Sequence, residues 1–275
     1  MTSARGEADF DRGDGVNDLE FLTTEPVNGA LRVFTTRTGG VSTGPYESLN
    51  LTWSRGNDPD AVNENRQRVM SALGLDRLIF ASQVHGDTVL RVDRVGSKTW
   101  LAGEGDALIT EMPGIGLCVQ TADCVPVLLV DPENRAIGAV HSGWRGTVKN
   151  ITARTIEAMS RAFGSVPGEM YASIGPAICK AHYRVGPEVL EQFEAQIGQL
   201  DSTLITERDE EGGAGLDVGE AVRRQLAGAG IPEEQIDRVA GCTFAEEDRF
   251  FSSRRAARDG HPGEFGGQCG IVALR

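Results

Sequence analysis

Two histidines and one cysteine lie at the ends of short apolar segments, where their side chains are placed for metal binding. His85 follows LIFASQV, Cys124 precedes VPVLLV, and His141 follows AIGAV. Short segments rich in branched residues and flanked by turn-forming residues are typical of β-strands. If the strands are neighbours, two imidazoles and one thiolate converge, and that ligand set suits Zn²⁺ or copper. Three protein ligands leave one tetrahedral position for water or substrate, as in catalytic zinc sites.

The same residues allow other interpretations. Each one alone is consistent with an ordinary buried cysteine or a hydrogen-bonded histidine. Cys124 with His141 or His85 would also serve as the nucleophile and base of a metal-free cysteine hydrolase. A structural metal site is a third interpretation, although structural zinc usually has four protein ligands. The three hypotheses stay open at this point.

Charged residues near these strand ends indicate anion binding and proton transfer. Asp123 is a candidate general acid or base, or a carboxylate that orients a histidine; it is equally consistent with local backbone bonding. The segment HSGWRGTVKNI predicts a turn into a helix over about 147–163. Arg145 and the N–H groups of its first turn, near Thr147, would bind phosphate, and Gly143 would let the backbone approach a ligand. An ordinary capped helix with a solvated arginine explains the segment equally well.

A second basic segment lies near the C-terminus. FFSSRRAARDG contains Arg254, Arg255 and Arg258 in a chain that is otherwise acidic. A helical face built from them would line an anion pocket. The alternative is a solvated face that pairs with Glu246 and Asp248.

Composition excludes several classes of protein. The chain has 275 residues, 40% of them hydrophobic and 24% charged, with a net charge of −13. That charge argues against nonspecific binding to nucleic acid or to anionic membranes. No apolar segment is long enough for a transmembrane helix or a signal peptide. The five cysteines are odd in number and form no CxxC pair, so no disulfide framework is expected. We therefore expect a cytoplasmic protein.

The pattern of apolar residues predicts an α+β fold. Residues 1–20 are polar and acidic and predict a disordered tail, whereas 21–275 are expected to form a single catalytic domain. Strands cluster in the first half, and helices are predicted over 58–75, 186–200 and 216–230, in addition to the helix after His141. The last segment, CGIVALR, lacks alternation and predicts a strand inside a sheet. Mixed sheets fit this order better than a regular βαβ series.

Several segments together resemble one known family. FTTRTGGVSTGPYESLNL, QVHGDTV, GDALIT, TADCVPVLLVD, AVHSGWRGTVKNI, ASIGPAICKAHYRVGPEV and RFFSSRRAARDG occur in the order found in the purine nucleoside phosphorylase family formerly called polyphenol oxidase or laccase-like. That family includes a bacterial peptidoglycan-editing factor. The resemblance runs from about residue 31 to the C-terminus, and TADC followed by HSGWRG is its most specific part.

The resemblance implies a four-layer α/β/β/α sandwich and a metal bound by His85, Cys124 and His141. It also implies phosphorolysis of adenosine, inosine, guanosine and S-methyl-5′-thioadenosine, with adenosine deamination as a further activity. We expect Cys124, Asp123 and Arg145 to be catalytic, with Asp123 as proton donor to the departing base. The expected substrate-binding residues are Arg37, Asn50, Gly143, Trp144 and Arg254.

Other functions of the same site remain alternatives. Multicopper oxidases use about ten histidines, whereas this chain has four, so a laccase with those copper centres is not expected. A single copper in place of zinc is the cofactor alternative, and it would support copper-dependent polyphenol oxidation. A Cys–His hydrolase acting on an amide of a peptidoglycan precursor is the other alternative. The expected partners are nucleoside and phosphate, without nucleic acid or membrane, and the expected state is a monomer or small homo-oligomer.

Overall fold

The computed structural model of the protein describes residues 19–53 and 57–275. The tail predicted over residues 1–20 therefore lies almost entirely outside the described residues. Across the part of the chain that is described, no helix is both long and apolar enough to cross a membrane.

Strands form two six-stranded sheets and a small ribbon. Sheet A has the order β1-β2-β14-β7-β3-β5, sheet B has the order β13-β10-β8-β9-β6-β4, and β11 pairs with β12. Both large sheets are mixed, since parallel pairs (β3 with β7, β4 with β6) stand beside antiparallel ones (β2 with β14, β8 with β9). The strands are β1 Phe21–Thr23, β2 Ala30–Thr35, β3 Arg77–Ser82, β4 Val89–Arg91, β5 Thr99–Glu104, β6 Ala107–Thr110, β7 Ile115–Thr121, β8 Val125–Asp131, β9 Ala136–Ser142, β10 Tyr171–Ile174, β11 Arg184–Val185, β12 Ala214–Gly215, β13 Ile236–Arg238 and β14 Gln268–Leu274.

Helices cover the outer faces of the two sheets. They are α1 Pro59–Leu73, α2 Trp144–Val148, α3 Ile151–Phe163, α4 Pro187–Ile197, α5 Val218–Gly228 and α6 Ser253–Arg258. One apolar cluster joins α1 to sheet A, a second lies between the sheets, and a third joins α3, α4 and α5 to sheet B. The layers thus run helix, sheet A, sheet B, helices. The predicted α+β fold with four α/β/β/α layers is confirmed.

Local sequence signals account for most elements. Asp58 accepts a hydrogen bond from the Asp60 N–H at the start of α1, and Gly74 ends that helix in the left-handed conformation that glycine adopts without strain. The last strand, β14, is buried between β2 and β7, as its continuous apolar character predicts. The sequence pattern did not indicate β5, because its residues are only half-buried or exposed and do not alternate from one face to the other.

The helix predicted over 147–163 is wrong at its start. The chain turns into α2 directly after Gly143 and breaks at Asn150, which has a φ of 62°, before α3 begins. The first-turn N–H groups are therefore those of residues 144–146. The N–H of Thr147 is not available to an anion, because it donates to the Gly143 carbonyl at 2.9 Å.

Candidate metal centre

The predicted convergence of the two strand ends in sheet B is confirmed. Cys124 immediately precedes β8 and His141 lies near the end of β9, and the antiparallel register pairs Val125 with Ser142 and Pro126 with His141. Cys124 and His141 therefore lie close together, where β8 begins and β9 ends. The expectation of three neighbouring strands is wrong for His85, because β3 belongs to sheet A. His85 arrives instead on the loop that crosses from β3 to β4 in sheet B.

The three side chains lie at distances that suit one shared ion. The ligand atoms of His85, Cys124 and His141 all fall within 4.8 Å of one another. Cys124 Sγ is 3.8 Å from Nε2 of His85, and the two imidazole rings meet edge to face with their centres 4.8 Å apart. Two ligands of a tetrahedral zinc ion, one sulfur and one nitrogen, stand about 3.6 Å apart when the bonds are about 2.3 and 2.1 Å.

Asp106, which the sequence analysis did not single out, holds both histidines in place. Its Oδ1 lies 2.8 Å from Nδ1 of the buried His141 and accepts the backbone N–H of His85 at 2.9 Å. Its Oδ2 accepts the N–H groups of Val84 and Gly86 at 3.2 and 2.7 Å. Since Nδ1 of His141 is engaged, Nε2 is the nitrogen left to face the cluster. In the sequence Asp106 is only one of several aspartates beside a predicted strand, within GDALIT, and its complete burial is seen only in the fold.

Backbone conformation near the cluster is strained and held by hydrogen bonds. His85 and Asp123 have φ values of 58° and 98°, a conformation that costs a non-glycine residue about 1–3 kcal/mol. The bonds to Asp106 hold the His85 loop. Asp123 is held by its own carbonyl, which accepts the Ile178 N–H at 3.0 Å, and by its carboxylate. The chain tolerates strain where it orients the candidate ligands.

Charges in the cluster favour a thiolate. Burial alone would raise the pKa of Cys124, but the imidazoles of His141 and His85 oppose burial and lower that pKa to about 6. Burial likewise opposes the charged form of His141, yet Cys124 and Asp106 raise its pKa to about 9. In the metal-free site each group thus favours the charged form of the other, a thiolate on Cys124 and an imidazolium on His141. A divalent cation would take the place of the imidazolium proton.

The space between the ligands fits a metal ion because residue 143 has no side chain. A Cβ atom built on Gly143 would lie 2.9 Å from Cδ2 of His85 and 3.0 Å from Sγ of Cys124. Gly143 was expected to let the backbone come close to a bound molecule. In the structure its backbone comes close to the side chains of His85 and Cys124. A thiolate sulfur and two imidazole nitrogens are donors that Zn²⁺ and copper prefer, and the missing side chain at residue 143 leaves room beside them.

Replacing Gly143 with alanine should weaken metal binding about 10- to 100-fold, the usual cost of disturbing residues that orient metal ligands. The backbone at Gly143 has φ −69° and ψ 165°, which alanine accepts, so the effect comes from the new methyl group alone. Competition with a chromogenic chelator measures the affinity. Gly168→Ala is the matched control, since its Cβ would meet nothing within 4 Å. Equal affinities of the two variants would contradict the fit.

Two arginines and a tyrosine lie near the cluster, since the charges of Cys124, Arg254 and Arg145 all act on the hydroxyl of Tyr183. The exposed Arg145 guanidinium lies 4.3 Å from the Trp144 ring centre, and that of Arg254 lies 5.1 Å from the Tyr183 ring centre. Burial, reinforced by the charge of Cys124, raises the pKa of Tyr183 to about 12, against the opposing effect of Arg254. Tyr183 therefore stays protonated. No local sequence pattern marks Tyr183 as a site residue, because its place beside Arg254 arises only in the fold.

Asp123 lies next to Cys124 but does not contact either histidine of the cluster through its carboxylate. Its Oδ1 accepts the Thr243 hydroxyl at 2.7 Å, and its Oδ2 accepts the Arg254 N–H at 2.7 Å in the first turn of α6. The carboxylate that orients a histidine is Asp106. Asp123 instead ties α6 and the loop around Thr243 to the cluster.

Arg37 and Asn50 lie apart from the grouping around the cluster. Arg37 lines a different cleft of about 320 Å³ together with Phe251 and Arg255, and it donates to the carbonyls of Glu47 and Glu247. Asn50 is fully buried and bonds to Thr52 and to the Gly267 N–H. Substrate contact by Asn50 would require these bonds to break.

The predicted basic face of α6 is divided among three environments. Arg255 is buried and donates to the carbonyls of Thr243, Phe244 and Phe250. Arg258 pairs with the neighbouring Asp259 at 2.7 Å. Only Arg254 of the three is turned toward Tyr183 and the cluster, so the anion pocket predicted from all three arginines is not formed.

Comparison with known proteins identifies similar sequences over nearly the whole domain. The family described as multi-copper polyphenol oxidoreductase laccase matches residues 31–275. A Deinococcus radiodurans protein named purine nucleoside phosphorylase is 43% identical over 244 residues, which cover 88% of each chain. Purine nucleoside phosphorylase YfiH of Escherichia coli is 34% identical over 86% of this chain and 93% of its own.

Solved structures show the same architecture. The crystal structure of Bacillus licheniformis hypothetical protein YfiH has a TM-score of 0.86 and 32% identity, covering 96% of this chain and 98% of its own. YlmD from Geobacillus stearothermophilus has a TM-score of 0.84 and 32% identity, covering 97% and 98%.

Proposed function

Because the chain belongs to the multi-copper polyphenol oxidoreductase laccase family and is similar to proteins named purine nucleoside phosphorylase, we propose that it is a zinc-dependent purine nucleoside phosphorylase. Its substrates would be adenosine, inosine, guanosine and S-methyl-5′-thioadenosine, each cleaved by phosphate to a free base and a ribose 1-phosphate. Adenosine deamination, with water as the attacking molecule, is the proposed side activity. We place this activity in the cytoplasm, in a single catalytic domain over 21–275 that acts as a monomer or small homo-oligomer.

The observation that supports this proposal most directly is the convergence of His85, Cys124 and His141 on one point. These residues would hold the zinc ion, with Asp106 fixing the orientation of the two histidines. A bound zinc ion supplies Lewis-acid polarisation to a substrate atom at its open position. The protein's own contribution would be to hold the three ligand side chains close together, with His85 exposed to solvent.

Arg145 and Arg254 are the proposed phosphate-binding residues. Each guanidinium lies over an aromatic ring, Trp144 and Tyr183 respectively, which restricts its orientation before the anion arrives. A planar guanidinium binds phosphate oxygens with two parallel hydrogen bonds. Two such groups beside the cluster offset the background of a chain with a net charge of −13. Phosphate would thereby be oriented toward the anomeric carbon of the ribose.

The departing purine takes up a proton or a strong hydrogen bond. Asp123 is the donor expected from sequence, and Tyr183 is a second candidate from the structure. Both oxygens of Asp123 already accept hydrogen bonds, one from the Thr243 hydroxyl and one from the Arg254 backbone N–H, so its carboxylate is committed to these partners. The phenol of Tyr183 keeps its proton, with a pKa of about 12. We therefore propose that Tyr183 hydrogen-bonds the base while Asp123 holds Arg254 in place.

Purified protein supplied with zinc, adenosine and phosphate should release adenine and ribose 1-phosphate. Chelation should abolish the reaction, and added zinc should restore it. Inosine formed without phosphate would report the deaminase activity separately. A Cys124→Ala protein purified in parallel controls for a contaminating phosphorylase. If neither adenine nor ribose 1-phosphate appears under zinc-replete conditions, the proposed phosphorylase is wrong.

A cysteine hydrolase is the second candidate function, and the lowered pKa of Cys124 favours it. A thiolate beside His141 is the arrangement of a nucleophile with its base. Its substrate would be an amide, such as one in a peptidoglycan precursor. The hydrolase needs no metal, so turnover that survives complete chelation would select it over the zinc enzyme.

A multicopper oxidase is not proposed despite the description of the family. Two of the four histidines, His85 and His141, lie in the cluster. His182 lies in a separate group, and the exposed His261 sits 3.7 Å from Glu264. No set of about ten histidines is available for mononuclear and trinuclear copper centres. A single copper ion at the His–Cys–His cluster is the remaining copper alternative, and elemental analysis of protein produced without added copper tests it.

A further inference from the structure

A second group of thiol and imidazole side chains lies outside the centre described above. The ligand atoms of Cys179, His182 and Cys242 fall within 4.8 Å of one another. Nδ1 of His182 is 3.3 Å from Sγ of Cys179 and 3.5 Å from Sγ of Cys242. Sulfur and nitrogen ligands of a tetrahedral zinc ion are about 3.6 Å apart. We propose that these three residues form a second binding site for a thiophilic divalent cation, Zn²⁺.

Sheet topology explains why these distant residues meet. Strands β10 and β13 are parallel neighbours at one edge of sheet B, so the chain leaves both strands at the same end. The two segments then continue side by side, with a parallel bridge between Ala177 and Cys242. Cys179 and His182 lie on the segment after β10, and Cys242 lies on the segment after β13. Each segment contributes to the same site.

Local structure orients the ligands toward one another. The Cys179 carbonyl accepts the N–H groups of His182 and Tyr183 at 3.0 and 3.1 Å, which forms a turn. The resulting Cys-x₂-His pair has the short spacing of zinc-chelating turns. The His182 ring stacks on Phe244 with centres 4.7 Å apart, which restricts its rotation. The Cys179 N–H also lies 3.4 Å from Sγ of Cys242 and would stabilise a thiolate there.

Neighbouring groups leave one coordination position open to solvent. Glu246, the nearby carboxylate, is already engaged, because it accepts the Cys242 N–H at 2.8 Å and pairs with Arg249 at 2.8 Å. His182 is exposed, so water can reach the fourth position. Two sulfur donors select a thiophilic ion over Mg²⁺ or Ca²⁺. With three protein ligands the site should bind and release zinc more readily than a closed four-ligand site.

An ion at this second site would tie together two segments that border the first centre. The residue before Cys179, Ile178, donates its N–H to the Asp123 carbonyl, and the residue after Cys242, Thr243, donates its hydroxyl to the Asp123 carboxylate. Tyr183 directly follows His182. Occupation of the second site should therefore stabilise the wall of the first centre. The second ion would fix the positions of these residues and take no part in the reaction itself.

Metal stoichiometry tests the proposal without reference to catalysis. Reduced metal-free protein titrated with Zn²⁺ should bind two equivalents per chain. Cys242→Ser, His182→Asn and Cys124→Ala should each bind one. Cobalt in Cys124→Ala should still show sulfur-to-cobalt charge-transfer absorption, and the Tm of this variant should rise by several degrees with zinc. His182→Asn replaces an exposed ring, so the test stands even if Cys242→Ser does not fold.

The matched control is His261→Asn, an exposed histidine outside both groups, which should keep two equivalents. A single equivalent in the wild-type protein that is lost in Cys124→Ala would overturn the proposal. So would two equivalents in both Cys242→Ser and His182→Asn. An intact mass two hydrogens below the reduced value, traced to a Cys179–Cys242 bond in protein purified with its metal, would assign the pair to a disulfide and also overturn it.

Discussion

Cys124→Ala should lose zinc at the His–Cys–His centre and reduce kcat/KM at least about a thousandfold. Metal catalysis supplies several kcal/mol of transition-state stabilisation, and each 1.4 kcal/mol is about a factor of ten in rate. Without the thiolate, His85 and His141 alone offer two neutral donors to a divalent ion. Elemental analysis and the nucleoside-plus-phosphate assay measure the two losses in the same sample.

A suitable control for this substitution is Cys118→Ala. Cys118 is fully buried in the apolar cluster between α1 and sheet A, away from both candidate metal sites. It should keep metal and activity while losing some stability to the small cavity. In metal-free form, Cys124→Ala should melt within a few degrees of the wild-type protein, since Cys124 contributes little packing. A large fall in the Tm of the zinc-supplied protein, with turnover retained, would favour a structural metal over a catalytic one.

Asp106→Asn should be the second most damaging change. The buried carboxylate serves three backbone N–H groups and Nδ1 of His141 with two oxygens. Asparagine keeps one oxygen and directs an NH₂ group at donors, which leaves part-buried N–H groups without an acceptor. Such losses cost about 1–3 kcal/mol each, so we expect the free energy of unfolding to fall by about 2–4 kcal/mol. Metal affinity and turnover should fall about 10- to 100-fold.

The pH dependence of this effect has a definite sign. Burial would raise the pKa of Asp106, but His141 and the N–H groups of Gly86 and Val84 lower it from 3.8 to about 2. A carboxylate whose pKa is lower in the folded state stabilises the protein above its unfolded pKa and loses that effect as pH falls. The difference in unfolding free energy between wild type and Asp106→Asn should therefore be largest between about pH 5 and 6 and shrink between about pH 4 and 2. It should also shrink as pH rises toward 9, because His141, whose pKa Asp106 helps to raise to about 9, then loses its proton.

Unfolding by denaturant at several pH values checks this, in metal-free protein, because zinc dissociates when its ligands are protonated. The exposed Asp248→Asn removes one charge without a buried bond and should show little change at any pH. A wild-type to Asp106→Asn difference that persists unchanged to pH 2 would show that the carboxylate charge is not what stabilises the loop.

Much of the centre was predictable from local patterns. The apolar segment after Cys124 forms β8, and the one before His141 forms β9. The two strand ends lie side by side, as predicted. Helix α1 begins and ends at the residues that cap it, Asp58 and Gly74. Such features depend on interactions within a few residues of the chain, through side-chain periodicity and capping bonds. A single sequence is enough to identify them.

Other parts of the site depend on contacts that only the fold creates. Several aspartates border strand ends, and nothing local distinguishes Asp106, which orients the histidines, from Asp123, which holds α6. His85 reaches the cluster from sheet A by a crossing loop, which strand prediction alone does not indicate. The early start of α2 and the break at Asn150, between α2 and α3, are likewise consequences of packing. A left-handed asparagine there interrupts an otherwise amphipathic pattern.

The residues themselves thus determined the fold class, the main elements and the three candidate ligands of the first centre. The tertiary structure decided which carboxylate serves those ligands, and it brought Cys179 and His182 to Cys242. The reason is physical. Capping and periodicity act between residues a few positions apart, whereas the parallel pairing of β10 with β13 brings His182 to Cys242, 60 positions away. That pairing follows from the burial of whole sheets, and no short stretch of sequence encodes it.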